Sequence, residues 1–79
     1  MLNIYNFDVC KYGDGISILS YYGENTGSMY HISRDVSAFT VDVETLDENG
    51  EAQEGPRYIS GSLSSAIAII EALENGKDV

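Results

Sequence analysis

The sequence predicts a single α+β domain with an antiparallel sheet of four to five short strands and one C-terminal helix packed on one face. Two observations lead to this prediction. Residues 38–46 alternate between apolar and polar side chains, as in a half-buried antiparallel strand. Residues 63–73 carry apolar side chains at helical spacing. The whole chain, residues 1–79, has the length of one domain.

Other segments with many aromatic and β-branched residues complete the predicted sheet. In the first segment Tyr5, Phe7 and Val9 recur with a period of two, so these side chains should share a face. The second segment is apolar on both faces, which indicates a central strand. The predicted strands other than 38–46 cover residues 2–12, 16–22, 29–33 and 57–60.

The predicted connections contain residues typical of turns. Gly13 to Gly15 suits a tight hairpin because glycine tolerates positive φ, and Asn49-Gly50 is a strong turn dipeptide within residues 47–56. Residues 23–28 form a polar loop and residues 34–37 a short turn. Pro56 stands at the start of the fifth strand, where the lack of an N–H costs little.

The C-terminal helix has a recognisable beginning and end. Ser62 is a suitable N-cap, because its hydroxyl can accept a hydrogen bond from an N–H of the first turn. Asn75-Gly76 supplies the stop signal. The apolar stripe expected to pack on the sheet consists of Leu63, Ala66, Ile67, Ile70 and Leu73.

The charge balance restricts the function. Thirteen acidic residues stand against four basic residues, which gives a net charge of −9. Such a chain repels nucleic acid and anionic membranes and favours a protein partner with a basic surface. A nucleic-acid-binding protein or complex is the natural example of such a partner.

Catalytic and metal-binding patterns are not found in the sequence. His31 has no Cys or His at ligand spacing, and Cys10 is the only cysteine, so no disulfide forms within the chain. We therefore predict no catalytic residues, no metal, no cofactor and no enzymatic activity. There is no basic segment followed by a long apolar run, so we expect a cytoplasmic protein.

An acidic segment provides the first candidate for partner binding. Asp42 and Glu44 should project from one face of a strand about 7 Å apart, a spacing comparable with that of successive phosphates on a nucleic-acid strand. The remaining acids are expected on the following loop, where they extend the row. The alternative is a solvated edge that prevents aggregation. The candidate residues are Asp42, Glu44, Asp47, Glu48, Glu51 and Glu54.

Tyrosines provide the second candidate. All six in the chain lie in predicted strands, and we expect Tyr21, Tyr22 and Tyr30 among them to contact a partner. Tyrosine is enriched at protein interfaces because it offers a large contact area at a low cost in entropy. The alternative is that tyrosine simply suits strands.

In size, charge and its acidic segment 42–54, the chain resembles the small phage-encoded inhibitors, which include anti-CRISPR proteins and other DNA mimics. The resemblance is one of character and aligns no residues. It implies an inhibitor whose carboxylates compete for a basic nucleic-acid-binding surface, such as that of a CRISPR effector. The alternative function is an interaction or assembly module, including a homodimer, that uses a tyrosine-rich sheet face while the charge maintains solubility.

Overall fold

A computed structural model of the protein describes residues 2–11, 17–34 and 36–78. It contains a five-stranded antiparallel sheet and one C-terminal helix, which confirms the predicted α+β class. A short 3₁₀ helix, Ile4–Asn6, precedes the sheet. The remaining elements are β1 (Asp8–Lys11), β2 (Ser17–Gly23), β3 (Ser28–Arg34), β4 (Phe39–Leu46), β5 (Ala52–Ser60) and α1 (Leu63–Glu74).

The strands lie side by side in chain order, and each is antiparallel to the next. α1 packs across one face of this meander, with its closest contacts to β4 and β5. The core therefore lies between the helix and one face of the sheet. It consists of the buried residues Phe7, Tyr30, Ile32, Val41, Val43, Ala66 and Ile70.

The predicted strand over residues 2–12 is wrong in its first half. Asn3 caps the 3₁₀ helix: its side chain accepts from the N–H of Tyr5 at 2.9 Å, and its own N–H donates to the side chain of Asn6 at 2.9 Å. These local bonds compete with strand pairing, so the strand begins only at Asp8. Tyr5 is consequently exposed while Phe7 is buried. The predicted hairpin turn at residues 13–15 lies outside the described residues.

The predicted helix is confirmed together with both of its ends. The Ser62 hydroxyl accepts from the N–H of Ser65 at 3.1 Å, which caps the first turn. At the other end Gly76 adopts φ 73° and donates its N–H to the carbonyl of Leu73 at 3.1 Å. The N–H of Lys77 donates to the carbonyl of Ala72 at 2.9 Å, which completes a Schellman motif.

β5 begins at Ala52, earlier than the predicted residue 57. Asp42 pairs with Arg57 and Glu44 pairs with Glu54, so two residues of β5 lie opposite one residue of β4. This β-bulge accommodates Gly55 and Pro56 inside the strand. Pro56 is tolerated there because β5 lies at an edge of the sheet among the described residues.

Glu74 fastens the end of α1 to the turn between β2 and β3. Its carboxylate accepts from the hydroxyls of Tyr30, at 2.7 Å, and Thr26, and from the N–H of Asn25 at 3.1 Å. Burial acts to raise the pKa of Glu74, but these hydrogen bonds outweigh it and hold the pKa below its ordinary value. Gly23 leaves room for the carboxylate, which a Cβ at that position would overlap.

The Glu74 network predicts an acid-sensitive fold. Because the folded-state pKa of Glu74 lies below its ordinary value of 4.5, ionised Glu74 stabilises the fold above pH 4.5. This contribution is lost as the pH falls below 4.5 and through the folded-state pKa. Unfolding by urea, measured from pH 7 to pH 3, should show a smaller acid loss for Glu74→Gln than for wild type. In the same assay, Tyr30→Phe should lower the free energy of unfolding by about 2 kcal/mol at pH 7, because it removes one hydrogen bond to Glu74.

Glu48→Gln is the matched control, since Glu48 is exposed and should keep the wild-type pH profile. If Glu74→Gln lost as much stability in acid as wild type does, other carboxylates would account for the acid sensitivity.

The β-bulge predicts that the stability of the fold is also sensitive to substitution of Gly55. A Cβ at Gly55 would lie 2.8 Å from the backbone oxygen of Val43, so a side chain there must displace backbone. Gly55→Ala should lower the free energy of unfolding by about 2 kcal/mol. Gly61→Ala is the control, because a Cβ at Gly61 meets nothing within 4 Å. Equal stability of the two variants in urea unfolding would contradict the described bulge.

Candidate partner-binding surface

The sheet face that points away from α1 is the candidate surface, and we call it the open face. The strand register arranges its side chains in three rows that cross the sheet. These rows are Asp8, Ser20, His31, Asp42 and Arg57; Tyr22, Met29, Glu44 and Glu54; and Ile18, Ser33, Thr40 and Ile59.

An acidic patch lies at the β4–β5 side of the open face. Asp42 and Glu44 project from β4 as predicted, and Glu54 lies directly opposite Glu44 on β5. Together with the residues around them these acids border a groove of about 610 Å³. The groove is lined by Ile18, His31, Asp42, Val43, Glu44, Glu54, Gly55 and Arg57.

Arg57 neutralises one member of the patch. Its Nε donates to Oδ1 of Asp42 at 2.6 Å, and this hydrogen bond raises the pKa of the Arg57 guanidinium. The side chains are 67% and 38% exposed, so solvent screens the pair and it contributes little to stability. Its main effect is on the charge pattern. Arg57 offsets the charge of Asp42, and the other two acids of the patch are Glu44 and Glu54.

Glu44 and Glu54 form a like-charge cross-strand pair. Directly opposite side chains have Cβ atoms about 5 Å apart, and two carboxylates at that distance destabilise a sheet. Nε2 of His31 lies 4.0 Å from Oε2 of Glu44. The pair is therefore a position where a cation from another molecule would stabilise the protein.

The structure also orients His31, which the sequence left without a role. Nδ1 of His31 lies 2.8 Å from the hydroxyl of Ser20 on the neighbouring strand. This hydrogen bond turns Nε2 towards Glu44 and the groove. Ser20 is itself buried, so its hydroxyl serves to position the ring. Only the β2–β3 register brings these residues together, and the sequence carries no local signal of it.

The other predicted acids have different roles. Asp47 folds its carboxylate back into the hairpin, where Oδ1 accepts from the N–H groups of Asn49 and Glu51, both at 2.9 Å. The bond from Glu51 is the largest cause of the lowered pKa of Asp47. Glu48 and Glu51 are exposed beside this turn, as predicted. The prediction that Glu54 lies on the loop is wrong, since β5 contains it.

The three predicted tyrosines do not form one surface. The prediction that Tyr30 contacts a partner is wrong in this structure, because its ring is 1% exposed in the core and its hydroxyl bonds Glu74. Tyr21 is half-buried on the helix side, with ring centroids 5.3 Å from Phe7 and 6.4 Å from Tyr30. Tyr22 lies on the open face and is 51% exposed.

Within residues 2–11, 17–34 and 36–78, no group of three or more His, Cys, Asp or Glu residues is placed to hold a metal ion. The same residues contain no helix with the length and apolar character to span a membrane. Comparison of the chain with protein-family models, curated proteins and solved structures gave no significant match.

The like-charge pair predicts a stabilising charge reversal. Glu44→Lys would place an ammonium opposite Glu54, so the free energy of unfolding should rise by about 0.5–1 kcal/mol at low salt. The gain should shrink in 1 M NaCl, where the charges are screened. Glu48→Lys makes the same change in charge on the turn. If it stabilised the protein as much, the effect would come from net charge alone.

Proposed function

We propose that this protein is a non-enzymatic binding protein that occupies a basic nucleic-acid-binding surface of another protein, such as a CRISPR effector. The Glu44–Glu54 pair on the open face is the observation that carries the proposal. Such a pair lowers the stability of the isolated domain, and Lys or Arg side chains of a partner would offset this loss. The chain would thereby act as an inhibitor that competes with nucleic acid.

The arrangement of the acids supports this mode of competition. Asp42 and Glu44 are about 7 Å apart along β4, and Glu54 lies opposite Glu44 on β5 with its Cβ about 5 Å from that of Glu44. All three project from paired strands, so a partner that binds them does not have to order their backbone. The net charge of −9 would also accelerate the encounter with a basic surface.

Apolar side chains beside the acids supply contact area. Tyr22 and Ile59 are 51% and 73% exposed, and Ile18 lines the same groove. In protein interfaces such side chains exclude water from the charged contacts around them, and this strengthens those contacts. The open face thus combines charge complementarity for recognition with apolar groups for affinity.

The alternative of a tyrosine-rich interaction face is less well supported by the geometry. Tyr30 is buried and Tyr21 packs beneath the helix, so of the three candidates only Tyr22 lies on the open face. That alternative also predicts binding that barely depends on salt. Competition through carboxylates predicts affinity that falls steeply as ionic strength rises.

The test is a competition experiment with a panel of purified RNA-guided nucleases and a labelled target DNA. The protein should reduce DNA binding by at least one nuclease, with an effect that weakens between 50 and 300 mM NaCl. Glu44→Lys/Glu54→Lys should lose at least about tenfold in inhibitory potency, because two charge-assisted contacts become repulsive. Inhibitor concentration at half-maximal DNA binding is the measured quantity.

Glu24→Lys/Asp78→Lys is the matched control, since it makes the same change in net charge at exposed positions away from the open face. It should inhibit nearly as well as wild type. If both double variants lost inhibitory potency equally, net charge and not the open face would account for the inhibition. Undiminished inhibition by Glu44→Lys/Glu54→Lys would contradict the proposal.

A further inference from the structure

β5 presents an unpaired edge to its surroundings. Within the described part of the chain it pairs with β4 as its only neighbouring strand, and residues 52–57 together with Ile59 are exposed. An exposed edge strand offers free backbone donors and acceptors to another strand. Charged side chains and Pro56 restrict which strand can pair there.

The bulge gives this edge an unusual charge pattern. In a regular strand, residues three apart project to opposite faces. Here Glu54 pairs with Glu44 and Arg57 pairs with Asp42, so both project from the open face. An acid and a base therefore stand on the same face of the edge strand, on either side of Gly55 and Pro56.

We propose that β5 pairs with β5 of a second copy of this chain, antiparallel and about a two-fold axis between Gly55 and Pro56. In this register Glu54 lies opposite Arg57 of the second copy, and Arg57 lies opposite its Glu54. The symmetry makes each contact twice. Cross-strand pairs of opposite charge stabilise a sheet and select its register.

Other symmetric registers are less favourable. An axis through Glu54 would oppose two glutamates, and an axis through Arg57 would oppose two arginines. The chosen register also places Ile59, 73% exposed in the monomer, opposite Ala52 of the second copy. Both residues project from the open face, because Thr40 pairs with Ile59 and Leu46 pairs with Ala52.

Pro56 is compatible with this register. It lies beside the two-fold axis, in the bulge, so its missing N–H falls at the centre of the pairing. Residues 52–54 and 57–60 on either side have backbone N–H groups, and the second copy can hydrogen-bond to the groups that point away from β4. In any register that spans β5, Pro56 of each copy interrupts the ladder once, and here both interruptions fall together beside the axis.

The dimer would also give the Glu44–Glu54 pair a basic neighbour, supplied by a second copy of the same chain. Arg57 of the second copy would lie beside Glu54 and offset the repulsion between the two glutamates. The sheets of the two copies would become one continuous sheet. This inference does not depend on the proposed inhibitory function, because it uses the edge of the sheet.

Sedimentation equilibrium over a range of protein concentrations tests the proposal. Wild type should approach twice the 8.6 kDa mass of one chain at high concentration. Glu54→Arg and Arg57→Glu each create two like-charge oppositions, so each should be monomeric. Glu54→Arg/Arg57→Glu restores opposite charges across the axis and should recover the dimer. Circular dichroism on every variant confirms that it is folded.

Glu24→Arg is the matched control, since it makes the same charge change away from β5, and it should dimerise as wild type does. A wild type that stays monomeric at every concentration would overturn the proposal. So would a dimer that persists in Glu54→Arg, or a folded double variant that remains monomeric.

Discussion

The alternation of side chains along β4 is the constraint on which the rest of the structure depends. Val41 and Val43 are buried beneath α1, at 0% and 9% exposure, while Asp42 and Glu44 project from the other face of the same strand. A slip of one residue would bring the carboxylates into the core and expose the valines. Burial of two apolar side chains thus fixes the position of two charges.

Two pairs of acidic residues have different physical roles. Asp47 and Glu74 accept hydrogen bonds from backbone or hydroxyl groups, which lowers their pKa and stabilises the hairpin and the helix end. Glu44 and Glu54 instead repel one another across two strands. The net charge of −9 is therefore a poor guide to function, because acids such as Asp47 and Glu74 are engaged in hydrogen bonds within the fold.

The sequence was sufficient where one local pattern decides the structure. The helix 63–74 and the strand 39–46 follow from apolar periodicity, and Ser62 and Gly76 mark the helix ends as expected. The start of β1 was missed because hydrogen bonds of Asn3 and Asn6 favour a 3₁₀ turn over a strand. The buried position of Tyr30 depends on Glu74, which is far along the chain, and no local pattern shows this bond.

The candidate surface was predictable only in part, since Asp42 and Glu44 come from one strand but Glu54 joins them through the bulge. A bulge shifts the register by one residue, and this decides which face Glu54 and Arg57 occupy. Periodicity alone places these two residues on opposite faces. The pairing of β5 with β4 therefore decides which face these two residues occupy, and apolar periodicity within one strand does not show it.

The absence of a side chain at Gly23 allows the helix end to close over the β2–β3 turn, since any Cβ there would overlap the carboxylate of Glu74. Positions 23 and 74 are consequently tied together although they are far apart in the chain. Among sequences that adopt this fold, a larger residue at position 23 should occur together with a shorter residue at position 74. A side chain at position 23 alone would displace the Glu74 carboxylate and weaken the hydrogen bonds that join the helix end to the turn.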